Sequence, residues 1–170
     1  MADLYCYTES GEIVEGPKIL PKSWRNISGF RNSSLESLIA LGWLPYSDTP
    51  PAFNTDTQYL TSEDVVGDNV VTKTYTVNDY TAGEMVTRIA DAKVARKNVI
   101  KAAAQTSIYS RYPIWKQANA GNGLYSEAVT TAITALITNH MIESNSCEDA
   151  VDACETLAAI RAIEPTWPEV

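Results

Sequence analysis

Apolar positions along the chain change rhythm once, near residue 80. Before that point they come in short alternating runs broken by Gly, Pro, Asn and Ser, which is strand and turn vocabulary. After it they recur every three or four residues in Ala-rich segments, the spacing of helices. Leu4-Tyr5-Cys6-Tyr7 and Ile13-Val14, on either side of Ser10-Gly11, predict a small hairpin ending at Gly16-Pro17. KILPKSWRNISGF follows, and its Pro21 and Gly29 predict irregular structure. Ser33 or Ser34 then caps a short helix with the stripe Leu35, Leu38, Ile39 and Leu41, and Gly42 stops it. The next stretch, ALGWLPYSDTPPAF, reads as a rigid loop of aromatics and prolines, with Trp43 tucked under it. Gln58–Val66 and Val70–Val77, joined by Gly67-Asp68-Asn69, form the clearest hairpin. There Val71, Lys73, Tyr75 and Val77 share one face, and Thr72, Thr74 and Thr76 share the other.

Thr81-Ala82-Gly83-Glu84 is a capping box, and it opens a long helix reaching to about Tyr112, where Pro113 breaks or kinks it. Within it Met85, Ile89, Ala92, Arg96, Val99 and Ala103 follow alternating four- and three-residue steps, the rhythm of a coiled-coil seam. Two readings stay open: a self-associating stalk, or a helix docked on its own domain. Ser126 caps a further helix with the face Val129, Ala132, Ile133, Leu136, Ile137 and His140. Ser146-Cys147-Glu148-Asp149 reads as a second capping box after a short SNS linker. The helix it starts carries Ala150, Val151, Cys154, Leu157, Ala158 and Arg161. EPTWPEV closes the chain in extended form. The pattern therefore predicts an α+β chain. A small β-rich module with hairpins and a short helix spans residues 1–80, and a helical module with one long helix and two shorter ones spans 81–170.

Composition narrows the chemistry. With 170 residues the chain has room for one domain or two small modules, and 45% hydrophobic against 20% charged residues is a folding composition. A net charge of -8 repels a phosphate backbone, so nucleic acid is set aside as a partner. MADLYCYTES does not have the pattern of a secretory signal, and no apolar run approaches the ~20 residues of a membrane span. Assembly in a cytoplasm without membrane insertion is the expectation. Cys6, Cys147 and Cys154 lack the spacing of a disulfide framework and read as buried free thiols.

Candidate chemistry is sparse. His140 and Glu143 share a helix face and make a conceivable acid/base pair, yet they read more simply as a core histidine beside a solvent-facing glutamate. Asp48, Asp56, Glu63, Asp64 and Asp68 read as a solvated acidic face, with no ligand spacing for a metal. No catalytic residue, metal ligand or cofactor site is assigned, and the chain reads as a non-enzyme. Trp24, Trp43, Tyr46, Phe53 and Tyr59 are the candidates for gripping a partner. Aromatic anchors are what interfaces favour, although a small module also uses them inside.

LPKSWRNISGF, LIALGWLPY, TPPAFNTDTQYL and VVGDNVVTKTYTVND followed by T-A-G-E, from about Pro17 to Glu84, resemble a recurring block in small virion and tail-fibre-region proteins of tailed bacteriophages. RYPIWKQANAG and the closing helices are similar to the helical ends of such proteins. The resemblance implies a structural virion protein of the tail, its fibres or baseplate, assembled in the host cytoplasm. It would work by docking to other tail proteins and by homo-oligomerising, with a trimer favoured. A fibre-assembly chaperone, a glycan-binding module for host attachment and a cell-wall hydrolase are the competing expectations.

Overall fold

The structure is a computed structural model and describes residues 3–168. The chain divides between Tyr80 and Thr81 into two compact units. The first holds strands β1 (Tyr5–Glu9), β2 (Glu12–Lys18), β3 (Ser23–Trp24) and β4 (Ile27–Ser28), a 3-10 turn at Phe30–Asn32, helix α1 (Leu35–Ala40), and strands β5 (Trp43–Asp48), β6 (Gln58–Val66) and β7 (Val71–Asp79). The second holds helices α2 (Ala82–Arg111), α3 (Ile114–Gly121), α4 (Glu127–Ala153) and α5 (Leu157–Ala162). The α+β class with a β-rich first half and a helical second half is what the hydrophobic rhythm predicts.

In the first unit five strands form a mixed sheet in the order β2-β1-β5-β7-β6. Ser10 and Gly11 sit at φ 54° and 83°, the positive-φ pair a two-residue hairpin loop requires, and Glu9 pairs with Glu12 across them. Ser34 caps α1 by accepting from the Ser37 N–H, and Gly42 ends it at φ 81°. A side chain at Gly42 would meet the Thr8 carbonyl at 2.5 Å, and the Gly42 carbonyl accepts from the Thr8 N–H at 2.7 Å. The helix stop is thereby also the splice onto β1.

Two elements correct the sequence reading. KILPKSWRNISGF is not wholly irregular, because β3 and β4 pair as a two-rung hairpin, Ser23 with Ser28 and Trp24 with Ile27. More consequentially, the stretch after Gly42 is a loop only beyond Asp48: Trp43–Asp48, with Pro45 inside it, form β5 in the middle of the sheet. Proline normally argues against a central strand because it removes a ladder donor. Here β5 changes neighbours at that residue. Trp43, Leu44 and Pro45 pair antiparallel with Tyr7, Cys6 and Tyr5, while Tyr46, Ser47 and Asp48 pair parallel with Val71, Thr72 and Lys73. The Tyr46 N–H points back to the Leu4 carbonyl at 2.9 Å, so the N–H that Pro45 lacks belongs to the side where β7 has not yet begun.

One face of this sheet buries Tyr7, Leu20, Phe30, Leu38 and Trp43, and a second cluster gathers Cys6, Leu44 and Val71. Beyond Val71 the β6–β7 ribbon runs out of core: Thr61 to Val65 and Thr74, Thr76 and Val77 are exposed.

In the second unit the Thr81–Glu84 capping box forms as predicted. The α2 helix is 30 residues, on the order of 45 Å. Its seam turns inward. Ile89 and Ala92 pack with Ile100, Cys147, Val151 and Ile160, and Arg96 holds the Ile163 carbonyl. The inward face passes from Arg96 to Ile100 and leaves Val99 exposed, the drift a straight 3.6-residue helix shows against a seven-residue repeat. After Pro113 the short α3 follows, and α4 then runs 27 residues without interruption. This corrects the expected break at Ser144-Asn145-Ser146. No Gly or Pro stands there, Ser144 is buried and donates to Glu148, and Cys147 and Val151 continue the buried stripe. Burial of that stripe overrides the capping preference of the serines. Cys147 therefore lies inside α4, while Cys154 is its C-terminal cap. Among the described residues no helix is long and apolar enough to cross a membrane.

Candidate functional site

The first unit carries chemistry on both faces of its sheet. On one, four rings from four elements converge: Tyr7 and Trp24 with centroids 5.1 Å apart, Tyr7 and Trp43 at 5.5 Å, Trp24 and Phe30 at 5.4 Å, Phe30 and Trp43 at 5.8 Å. Trp43 is 0% exposed. It is the floor of this box and offers nothing to a partner, because its central strand directs it under α1 and the Phe30 turn. Trp24 is half-buried, with the Arg25 guanidinium over its ring at 4.2 Å. Arg25 also donates to the Tyr7 hydroxyl at 2.9 Å and pairs with Glu9 at 3.5 Å, while the Tyr7 hydroxyl donates to Glu9. That bond to Glu9, with burial second, raises the Tyr7 pKa. Arg25 holds φ 51°, a left-handed conformation costing on the order of 1–3 kcal/mol for a non-glycine residue. The result is a rigid, exposed cation mounted on an aromatic wall.

The opposite face carries a second arrangement. Tyr46 on β5, Lys73 on β7 and Asp64 on β6 lie across three neighbouring strands, and Asp48 and Asp64 stand opposite Lys73 from either side. The Tyr46 hydroxyl reaches over β7 to donate to Asp64 at 2.9 Å, and the Tyr75 hydroxyl donates to Asp48. The Lys73 ammonium sits 5.9 Å from the Tyr75 ring centroid. Both phenols are held protonated. Burial, then the bond to Asp64, raises Tyr46, while the bond to Asp48, then burial, pushes Tyr75 up to about 12. Two rings, two carboxylates and an ammonium fixed on an open sheet can stack against a flat ligand and accept hydrogen bonds from hydroxyl or amide groups.

The five sequence candidates do not form one patch. Trp24 and Trp43 belong to the box, Tyr46 belongs to the opposite face, and half-buried Phe53 lies in the loop between β5 and β6. Tyr59 packs on Tyr80 at 5.0 Å at the far end of the ribbon. The sequence reading missed the most exposed tryptophan. Trp115 on α3 is 57% exposed, next to exposed Ile114, and its signal was an apolar pair directly after Pro113.

In the second unit His140 is 0% exposed. Its Nδ1 lies 2.9 Å from the Leu136 carbonyl, which can only accept, so Nδ1–H is the donor there, and its Nε2 shares a hydrogen bond with the Ser107 hydroxyl at 2.9 Å. The spacing suits a nucleophile and its base, but the Trp167 ring stacks flat on the imidazole at 5.4 Å and closes it off. Glu143 is no partner to His140. It accepts from the Thr166 N–H at 2.8 Å and faces the Cys147 thiol, whose pKa is raised by burial first and by Glu143 second. Among the described residues no group of three or more His, Cys, Asp or Glu is placed to share a metal ion.

No family model matches the chain, and no curated protein or solved structure is significantly similar to it.

Proposed function

We propose that this protein is a structural component of a bacteriophage tail, associated with the fibres or the baseplate, that docks to other virion proteins and to copies of itself. The resemblance of residues 17–84 to small tail-region proteins supplies the setting. The observation that carries the docking role is β6, a nine-residue strand at the edge of the sheet and exposed along most of its length. Edge strands are usually blunted by lysine, proline or a bulge. This one pairs with β7 in unbroken register, contains no proline or lysine, and carries only Glu63 and Asp64 as charges. Its free row of backbone donors and acceptors suits strand addition by a neighbour, with Tyr46, Asp64 and Tyr75 on one side of the joint. The protein acts by assembly rather than by turnover.

The test is the protein content of purified particles. Mass spectrometry is expected to find the chain in finished virions, whereas absence from them would identify an assembly chaperone. Val65→Lys on the exposed edge, combined with Tyr46→Ala, is expected to leave the far-UV signal intact and to abolish incorporation. Normal incorporation of that variant would sink the docking role of β6. The Tyr46–Asp64 and Tyr75–Asp48 arrangement favours one further reading, a glycan-binding face, for which calorimetric titration with host-surface sugars would show saturable heat that Tyr75→Ala removes.

A further inference from the structure

The break between α4 and α5 has no helix-breaking residue behind it; the one local signal is Thr156, which caps α5. Residues 150–161 contain neither Gly nor Pro, and Ala150, Val151, Cys154, Leu157, Ala158 and Arg161 keep helical spacing straight through it. Local preference is for one continuous helix. The chain instead extends at Cys154 (φ -71°, ψ 141°) and Thr156 (φ -130°, ψ 150°), and α5 restarts with the Thr156 hydroxyl accepting from the Ala159 N–H. A conflict of this kind between local preference and tertiary packing leaves the continuous helix as the competing arrangement for this segment.

What the turn achieves is the docking of α5 and the extended strap that follows it, residues 163–168. Leu157 and Ile160 are buried, and Ile163 and Trp167 pack against the cluster of Ile100, Cys147 and Val151. The strap is held much as a bound peptide is held. The Arg96 guanidinium donates to the Ile163 carbonyl and pairs with Glu164 at 2.7 Å. Glu143 accepts from the Thr166 N–H at 2.8 Å, and Trp167 lies within 2° of parallel on His140. Every one of these contacts is to a side chain of α2 or α4, and only residues 154–156 tether the docked segment to α4.

We propose that α5 and the strap exchange between two copies of the chain, with residues 154–156 as the hinge. In the exchanged form α4 and α5 run as a single helix over residues 127–162, roughly 54 Å long at 1.5 Å per residue. The strap then docks on Arg96, Glu143 and His140 of the second copy. The same contacts form in both arrangements, and the difference lies in the hinge: the exchanged form loses the Thr156 cap and gains continuous helical hydrogen bonds. The proposal gives a route to the self-association in the proposed role, but it is tested on the isolated protein. A monomer that still enters particles would overturn exchange and leave the docking role standing.

Light scattering across a concentration series separates the two arrangements. The natural protein is expected to show a concentration-dependent dimer. Glu155→Pro is expected to be monomeric, because proline forbids the continuous helix and requires an extended residue before it, which Cys154 already is. Thr156→Ala, which removes the cap and raises helix preference, is expected to favour the open hinge roughly fivefold in each copy and so to shift the equilibrium roughly 25-fold toward dimer. A second measurement holds even if Glu155→Pro does not fold. Copies with Cys6, Cys147 and Cys154 replaced by alanine, one bearing Arg96→Cys and the other Glu164→Cys, are unfolded, mixed and refolded together. A cross-linked heterodimer on a denaturing gel after treatment with a bis-maleimide is the expected result, each copy refolded alone serving as the control. Equal dimerisation of Glu155→Pro and the natural chain, or no cross-link between the mixed copies beyond those controls, would overturn the exchange.

Discussion

The two units bury their interiors with different materials. The sheet unit closes around Tyr7, Trp24, Phe30 and Trp43, whereas the helical unit closes around Ile100, Leu136, Val151 and Ile160, with His140 satisfied by Ser107 and capped by Trp167. Element length accounts for the contrast. Strands of two to nine residues and a six-residue helix give few inward positions, so each must bury as much area as one side chain can. Helices of 30 and 27 residues give many inward positions, and modest aliphatic and alanine side chains suffice. A core made of a few large rings concentrates risk in single residues, and a core made of many small ones spreads it.

The largest expected effect follows from that concentration. Trp43→Ala should cost about 3–5 kcal/mol and unfold the sheet unit while the helical signal at 222 nm persists. Leu136→Ala, equally buried, should cost about 2–5 kcal/mol and do the reverse, which denaturation followed by helical and aromatic circular dichroism would resolve into two transitions. The Trp43 indole N–H has no hydrogen-bond partner, so Trp43→Phe should be far milder than Trp43→Ala. A single shared transition in both variants would dissolve the contrast between the units.

A smaller effect sits at the start of α2. Thr81→Ala removes a cap worth about 1 kcal/mol and should lower the thermal midpoint of the helical unit only. The Thr81 backbone N–H, then its hydroxyl, holds the Glu84 carboxyl below the usual carboxylate range. A lowered folded-state pKa favours the charged form. The stability it contributes is therefore present above the usual range and lost as pH falls through the folded value. In Thr81→Ala the Glu84 resonance should titrate closer to the ordinary value.

The subtlest effect lies on the sheet. The Tyr75 phenol, raised to about 12 by its bond to Asp48 and by burial, favours the protonated form. Its contribution is complete below the ordinary tyrosine value of about 10 and is lost as pH rises toward 12. Absorbance at 295 nm should show late tyrosinate titration to which Tyr46 and Tyr75 both contribute, and Tyr75→Phe should lower its amplitude by one tyrosine; an unchanged titration would discount the bond.

What could be read from the chain beforehand tracks how local each cause was. The β6–β7 hairpin, the Thr81–Glu84 box and the Gly42 stop follow from residues within one turn of each other, and all three stand. The strand at Trp43–Asp48 was illegible because the harmlessness of Pro45 depends on where β1 and β7 begin and end, dozens of residues away. The unbroken α4 was hidden in the same manner: a capping pattern at Ser146 is visible locally, but the burial of Ser144 and Cys147 that overrides it comes from packing. The candidate site shows the split most plainly. The sequence singled out aromatic rings, but it could not tell that Trp43 and Tyr46, three residues apart on one strand, face opposite ways with one of them sealed inside.

The change of partners at Pro45 also sets how the sheet bears load. Three rungs join β5 to β1 on one side of that residue, and three join it to β7 on the other. A pull applied through the β6–β7 ribbon is therefore carried to the β1–β2 hairpin by six residues of a single strand, and the changeover is bridged only by the Tyr46 N–H bond to Leu4 and by the Cys6–Leu44–Val71 cluster. Such a splice loads β5 along its length, the direction in which its rungs share the force.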